Sequence, residues 1–222
     1  FQRVRKLYVE IGQFVSDDGG HSPTLAALAA PFDADSALSL VPLVFSGTMY
    51  VPQPRIIVGV PYEGDTVISP SGRLLISRAR GMDGLQAGFV LRALNATPMG
   101  LTYAVVTPEI GRYCGHGGKP GFSFDERTIT FHRYVIDEDA VGLGFASADD
   151  PGFAPYRTMG ASNLFVTDLL TGATRRITNM NPGQYALFPH FRSDGWIYFV
   201  VRDSRGPGAN EYVVASDAAL VP

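Results

Sequence analysis

The residues with the widest chemical repertoire in this chain are one cysteine, Cys114, and four histidines, His21, His116, His132 and His190. Cys114-Gly115-His116 sets a thiol and an imidazole one residue apart, and both are ligands for a transition metal. His132 or His190 would complete the set if the fold brought one of them in. The spacing is not a standard zinc pattern and no second cysteine exists, so the glycines at 115, 117 and 118 read more simply as an irregular loop. His132 falls inside or at the end of the strand-like run Phe131–Tyr134. His190 lies between Pro189 and Phe191, six residues after Gln184. Each of these histidines also reads as a packed structural residue.

Acidic residues cluster at Asp137-Glu138-Asp139 and Asp149-Asp150. Their oxygens suit calcium, but the EF-hand spacing is absent and a solvated acidic loop is the plain alternative. Phe153, Tyr156 and Tyr185 sit near Pro and Gly in loop-like segments. Exposed aromatics of this kind anchor partner proteins, and buried ones pack a loop against its neighbours. There is no G-x-S-x-G elbow, no H-E-x-x-H, no C-x-x-C-H, and no Walker or Rossmann glycine pattern. The net charge is −3, and the densest basic groups are only Arg3-Arg5-Lys6 and Arg175-Arg176, so a nucleic-acid surface is not expected. The most apolar stretch, 25–45, is broken by Pro31, Asp33, Asp35 and Pro42, which excludes a helical membrane span. The sequence starts at Phe1, without a methionine, and no signal peptide can be read in it.

These side chains must be positioned mainly by strands. The alternating run Val4–Ile11 predicts a half-buried strand. Further strands are predicted at 48–51, 55–60, 73–77, 88–94, 101–106, 128–135, 163–169, 196–201 and 211–215. A short helix at Thr24–Ala30 followed by a buried strand accounts for the apolar stretch, and Asp83–Ala87 is a weak second helix. Gly and Pro are both abundant, at 25 and 16, as many short strands and turns require.

Three segments repeat. Pro120-Gly121-Phe122-Ser123-Phe124-Asp125-Glu126-Arg127 runs into Thr128-Ile129-Thr130-Phe131. Pro189-His190-Phe191-Arg192-Ser193-Asp194-Gly195 runs into Trp196-Ile197-Tyr198-Phe199. Thr66-Val67-Ile68-Ser69-Pro70-Ser71-Gly72-Arg73 runs into Leu74-Leu75-Ile76. Each is an apolar residue, a tight polar turn and an apolar strand. The Asp or Ser caps the turn through the backbone and Gly supplies the positive φ. A second pattern, Asn163-Leu164-Phe165-Val166-Thr167-Asp168-Leu169-Leu170-Thr171-Gly172, is a strand and a hairpin turn leading into Ala173–Thr178.

These patterns resemble the PD40 (WD40-like) repeat of TolB-type β-propellers, strongly over 118–135 and 160–203 and more loosely over 60–217. The resemblance implies an all-β fold: a small or incomplete β-propeller of TolB/PD40-type blades with long inserted loops, notably 137–162. The repeats start 54 and 69 residues apart, whereas a blade takes about 40–45 residues. Three or four blades therefore fit. Residues 1–60 are expected to form an N-terminal β-rich segment, readable as a degenerate blade whose strand Val4–Ile11 pairs with the C-terminal strand, and residues 61–222 the propeller repeats. The expected role is a non-catalytic binding or scaffold module, periplasmic or extracellular, with other proteins as partners. One alternative is a structural subunit of a larger assembly. Another is a lyase-like enzyme whose channel metal is held by His190, His132 and Gln184.

Overall fold

The structure is a computed structural model that describes residues 6–10, 34, 36–80 and 87–220. The expected helix at 24–30 and most of the weak one at 83–87 lie outside these residues. The chain divides into two compact units, Phe1–Gly115 and His116–Pro222, each with its own buried cluster.

In the first unit, β1 (Lys6–Glu10), β2 (Ala37–Phe45), β3 (Tyr50–Pro52) and β4 (Ile56–Gly59) form one antiparallel sheet around β2. β1 pairs with β2, with Tyr8 opposite Val41. The long apolar β2 offers β1 an antiparallel edge. A second sheet holds β5 (Glu63–Ile68), β6 (Leu74–Arg80) and β7 (Ala87–Ala93) as a meander. The hairpin β8 (Asn95–Met99) and β9 (Thr102–Val106) intervenes before β10 (Glu109–Cys114) returns to pair with β7. Leu38, Leu40, Val60, Leu75 and Leu94 form the core of this unit. Glu63 is buried and is neutralised by Arg92, whose Nη1 also donates to the Thr107 carbonyl at 2.9 Å. A charge out of water needs this kind of full pairing.

The second unit contains two consecutive blade-like meanders. The first comprises β11 (Gly118–Phe122), β12 (Thr128–Tyr134), β13 (Ser162–Asp168) and β14 (Thr174–Arg176). The second comprises β15 (Gln184–Phe191), β16 (Ile197–Asp203) and β17 (Asn210–Ser216). One parallel ladder pair, Ser162 with Tyr185, joins their strands. Leu164, Val166, Ala186, Ile197, Phe199 and Val201 form the core cluster. Burying each large aliphatic or aromatic side chain there is worth about 1.5–3 kcal/mol.

The three repeated segments fold alike. The turns close with Ser69 N–H donating to Leu74 O, Ser123 N–H to Thr128 O, and Arg192 N–H to Trp196 O, at 2.9, 2.9 and 2.8 Å. The serine side chain fastens the turn from within, since its Oγ accepts the N–H of Leu74 in one repeat and of Thr128 in another. Arg192 cannot do this, and its turn is one residue shorter. Asp125 accepts the Arg127 N–H, and Asp194 the Trp196 N–H. Positive φ falls on Gly72, Gly195 and Glu126. Glu126 departs from the expected glycine; it takes the left-handed conformation at a steric cost of about 1–2 kcal/mol.

Each repeat also carries a bulge before its turn. The register slips between Gly64 and Val67, between Gly118 and Gly121, and between Leu187 and His190. The residue in the slip is Asp65, Lys119 or Phe188, with φ of +50°, +50° and +52°. All three stand four residues before the turn residue Ser69, Ser123 or Arg192. A bulge of this type re-aims one side chain and tightens the strand twist.

The insertion after β12 is more ordered than a loop. It has two 3₁₀ turns, Asp137–Asp139 and Val141–Leu143, and a short helix α1 (Ala154–Met159) that starts with a proline in its first turn. Proline there has its φ preset and lacks only an N–H that has no intrahelical partner.

Candidate functional site

The bulge on β15 builds the most distinctive surface of the second unit. β12 places His132 and Tyr134 two residues apart, on one face of the strand. Their rings meet edge-on at 5.7 Å and 90°. Phe188, held out by the bulge, meets the His132 ring at 5.9 Å and 71°. Tyr185, at the other end of β15, meets Tyr134 at 6.1 Å and 65°. A continuous run of Phe188, His132, Tyr134 and Tyr185 results. Tyr134 is 56% exposed and Phe188 40%, while His132 is buried at 7%. Such edge-to-face contacts are worth about 0.5–1.5 kcal/mol each beyond area burial.

Three local features shape this face. A Cβ at Gly118 would lie 3.3 Å from His132 Nε2, so the glycine gives the imidazole its seat. The Tyr185 hydroxyl donates to the Met159 carbonyl at the end of α1. Phe188 keeps a backbone conformation that a bulky residue rarely adopts. Strain of this kind, stored by an over-determined surround, is typical of sites that do something.

The insertion supports the same region. Phe153 is 1% exposed; it stacks on Tyr156 at 5.5 Å and meets Phe145 edge-on. Tyr156 donates to the Met180 carbonyl. These two aromatics therefore pack the insertion, and of the three loop aromatics read from the sequence Tyr185 is the one in the aromatic run.

The polar candidates are placed as follows. His190 is exposed on β15, with Tyr198 as its cross-strand partner. Gln184 donates to Asp203 at 2.9 Å and accepts from the backbone and side chain of Asn181. Gln184 and His190 stand six residues apart on one strand, on the order of 20 Å at strand rise, and so do not converge on one ion. Cys114 ends β10 and is exposed, as is His116. Among the described residues no group of three or more His, Cys, Asp or Glu is placed to hold a metal ion.

The acidic cluster is tied to arginine and backbone. Asp137 takes both Nε and Nη2 of Arg157 at 2.8 Å, and that pair holds the Asp137 carboxyl below its ordinary pKa. Asp139 pairs with Arg133 and accepts the Ile136 N–H. Asp150 accepts the N–H groups of Gly152 and Ala146, which lower its pKa. A small cleft of about 240 Å³ is lined by Val166, Asp168, Thr174, Arg175 and Ala219. It is below the usual size of a ligand site, and Arg175 there donates to the Ala218 carbonyl.

Tyr134 and Phe188 do not stand out by their sequence context. The signal for Tyr134 is its two-residue spacing from His132. Phe188 could have been found from its repeat position, directly before Pro189.

No protein-family model and no curated protein matches the chain. Among solved structures, it is similar to an oligogalacturonate lyase from Vibrio parahaemolyticus, with 10% identity and a TM-score of 0.39, over 82% of this chain and 46% of that one. It is also similar to the Pyrococcus horikoshii acylaminoacyl peptidase, with 10% identity and a TM-score of 0.35, over 82% of this chain and 29% of that one. The chain thus spans less than half the length of either, and at these scores neither likeness carries an argument about activity. What the geometry defines is an all-β chain of blade-type antiparallel sheets. Among the described residues no helix is long and apolar enough to cross a membrane.

Proposed function

We propose that this chain is a non-catalytic binding module built from TolB/PD40-type blades, and that it recognises partner proteins of the cell envelope or extracellular space through the aromatic face of its second unit. The supporting observation is the run Phe188, His132, Tyr134 and Tyr185, in which Phe188 and Tyr134 are exposed, Tyr185 is half-buried and His132 is buried between Phe188 and Tyr134. Rigid aromatics of this kind concentrate binding energy because little side-chain entropy remains to be lost. The strain at Phe188 fits the same reading: a glycine would suit that backbone better, so the aromatic ring is kept at a cost.

Phe188→Gly supplies the test. It relieves the left-handed strain and should leave folding stability within about 1 kcal/mol of the parent. With Tyr134→Ala as a second variant, cross-linked captures from an envelope extract are compared by quantitative mass spectrometry. The expected result is at least one protein whose recovery falls tenfold or more with both variants. Equal recovery of every protein by parent and variants would refute the proposal.

A further inference from the structure

The insertion leaves β12 after Tyr134 and rejoins the sheet at Ser162, and it is tied to both strands that carry the aromatic run. Its neck is closed by the Val135 N–H, which donates to Ala161 O at 2.9 Å. Its first leg is held by Arg133 of β12, which pairs with Asp139 and lies over the Phe165 ring at 4.4 Å. Its second leg, α1, ends against β15. There the Met159 carbonyl accepts the Tyr185 hydroxyl, and the Gly160 carbonyl accepts the Gly183 N–H at 2.7 Å.

Two glycines permit this approach. Gly160 has φ +69° and ψ 168°, a conformation essentially reserved for glycine. A Cβ there would lie 2.6 Å from the Tyr185 hydroxyl oxygen, and a Cβ at Gly183 would lie 2.9 Å from the Met159 methyl. Yet little apolar burial holds α1 down. It has six residues and none of them is buried, and a helix that short is marginal by itself. Its other ties are Tyr156 donating to Met180 O at 3.1 Å and the surface pair of Arg157 with Asp137. An element held by a few hydrogen bonds opens at a lower free energy than the core strands beside it. On opening, Tyr185 loses the acceptor that aims its ring at Tyr134.

We infer that residues 154–160 form a releasable strap, and that Met159 and Gly160 are positioning residues for the aromatic face. With the strap closed, Tyr185 completes the run; with the strap open, the run is cut to three rings. Such coupling is reciprocal, so a change on the face is also felt in the strap. As a control on recognition, the strap rests on the role proposed above for that face. The coupling itself is a property of this chain and is tested within it.

The test is amide exchange of the full chain, followed residue by residue by NMR. Tyr185→Phe removes the hydroxyl alone. Exchange across 154–160 should quicken about fivefold, the worth of one hydrogen bond, while β13 and β16 stay as slow as in the parent. Tyr134→Ala, made on the face, should quicken the same strap amides at least twofold. In the other direction, Gly160→Ala drives a methyl group at Tyr185 and should shift the ring resonances of Tyr134. The inference is overturned if strap exchange is indifferent to either face variant, if exchange quickens equally in every strand, or if Gly160→Ala leaves the Tyr134 ring unmoved. Equal recovery of every envelope protein by parent and variants would instead sink the recognition role and leave the strap coupling standing.

Discussion

The two blades of the second unit share a backbone plan and differ in how they complete it. In the first, Ser123 fastens the turn, Gly118 seats a histidine beneath the bulge, and Phe131 stacks against Phe165 at 5.7 Å. In the second, Arg192 stands at the turn, Leu187 takes the place of the glycine, and Phe199 faces the smaller, half-buried Val214. Strand register and bulge survive all three exchanges. The blade is therefore specified by its backbone hydrogen bonding and alternating core positions, while turn chemistry and the bulge side chain are free to vary.

That conclusion can be broken first at the core. Phe131 is fully buried, so Phe131→Ala should cost about 3–5 kcal/mol, read by urea denaturation. Phe199→Ala should cost clearly less, because its partner across the sheet leaves a smaller cavity; equal losses would deny the difference between the blades. Next comes the bulge. Gly118→Leu copies the second blade into the first and drives a side chain into His132. We expect a loss of about 1–3 kcal/mol, together with changed ring shifts of Tyr134 and Phe188 by NMR.

The turns give smaller effects. Ser123→Ala removes the hydroxyl that accepts the Thr128 N–H, for a loss of about 1 kcal/mol. Arg192→Ser should change stability by less than about 0.5 kcal/mol, since in the shorter turn the matching amide, Trp196 N–H, is already accepted by Asp194. Glu126→Gly should stabilise by up to about 1 kcal/mol, seen as a higher thermal midpoint.

The smallest effect is on acid stability. Asp168 accepts the N–H groups of Thr171 and Leu170 and pairs with Arg127, which together lower its pKa to about 2. Its folded value lies below its unfolded one of about 3.9. Its contribution is therefore complete above pH ~4 and is lost as pH falls through about 2. Asp168→Asn should flatten the stability profile in that window alone, measured by denaturation across pH.

Much of this plan is legible in the sequence because it is written in short-range chemistry. The serine and aspartate of the hairpins, the Asp168 turn and the alternating runs of β12, β13 and β16 each declare themselves within a few residues. The bulges are not legible. A residue in positive φ such as Lys119 or Phe188 breaks the two-residue alternation, and the pattern then no longer says which way the next side chain points. For the same reason β15 does not read as a full strand, with Pro189 and His190 interrupting it. His132 and Tyr185 stand out by type, but their meeting with Phe188 depends on β12 and β15 lying side by side, which no local pattern encodes. The order in 137–162 is hidden likewise, since it comes from Phe145, Phe153 and Tyr156 packing on one another.

The repeated bulge has one further consequence, for how such a chain diversifies. At one geometric position the three segments display an acid, a base and an aromatic ring: Asp65, Lys119 and Phe188. All three take the left-handed backbone conformation, at φ of +50°, +50° and +52°. Selection can therefore exchange the displayed group without disturbing the fold, so that recognition drifts while architecture stays constant. A randomised library confined to these three codons would sample new specificities on an unchanged frame.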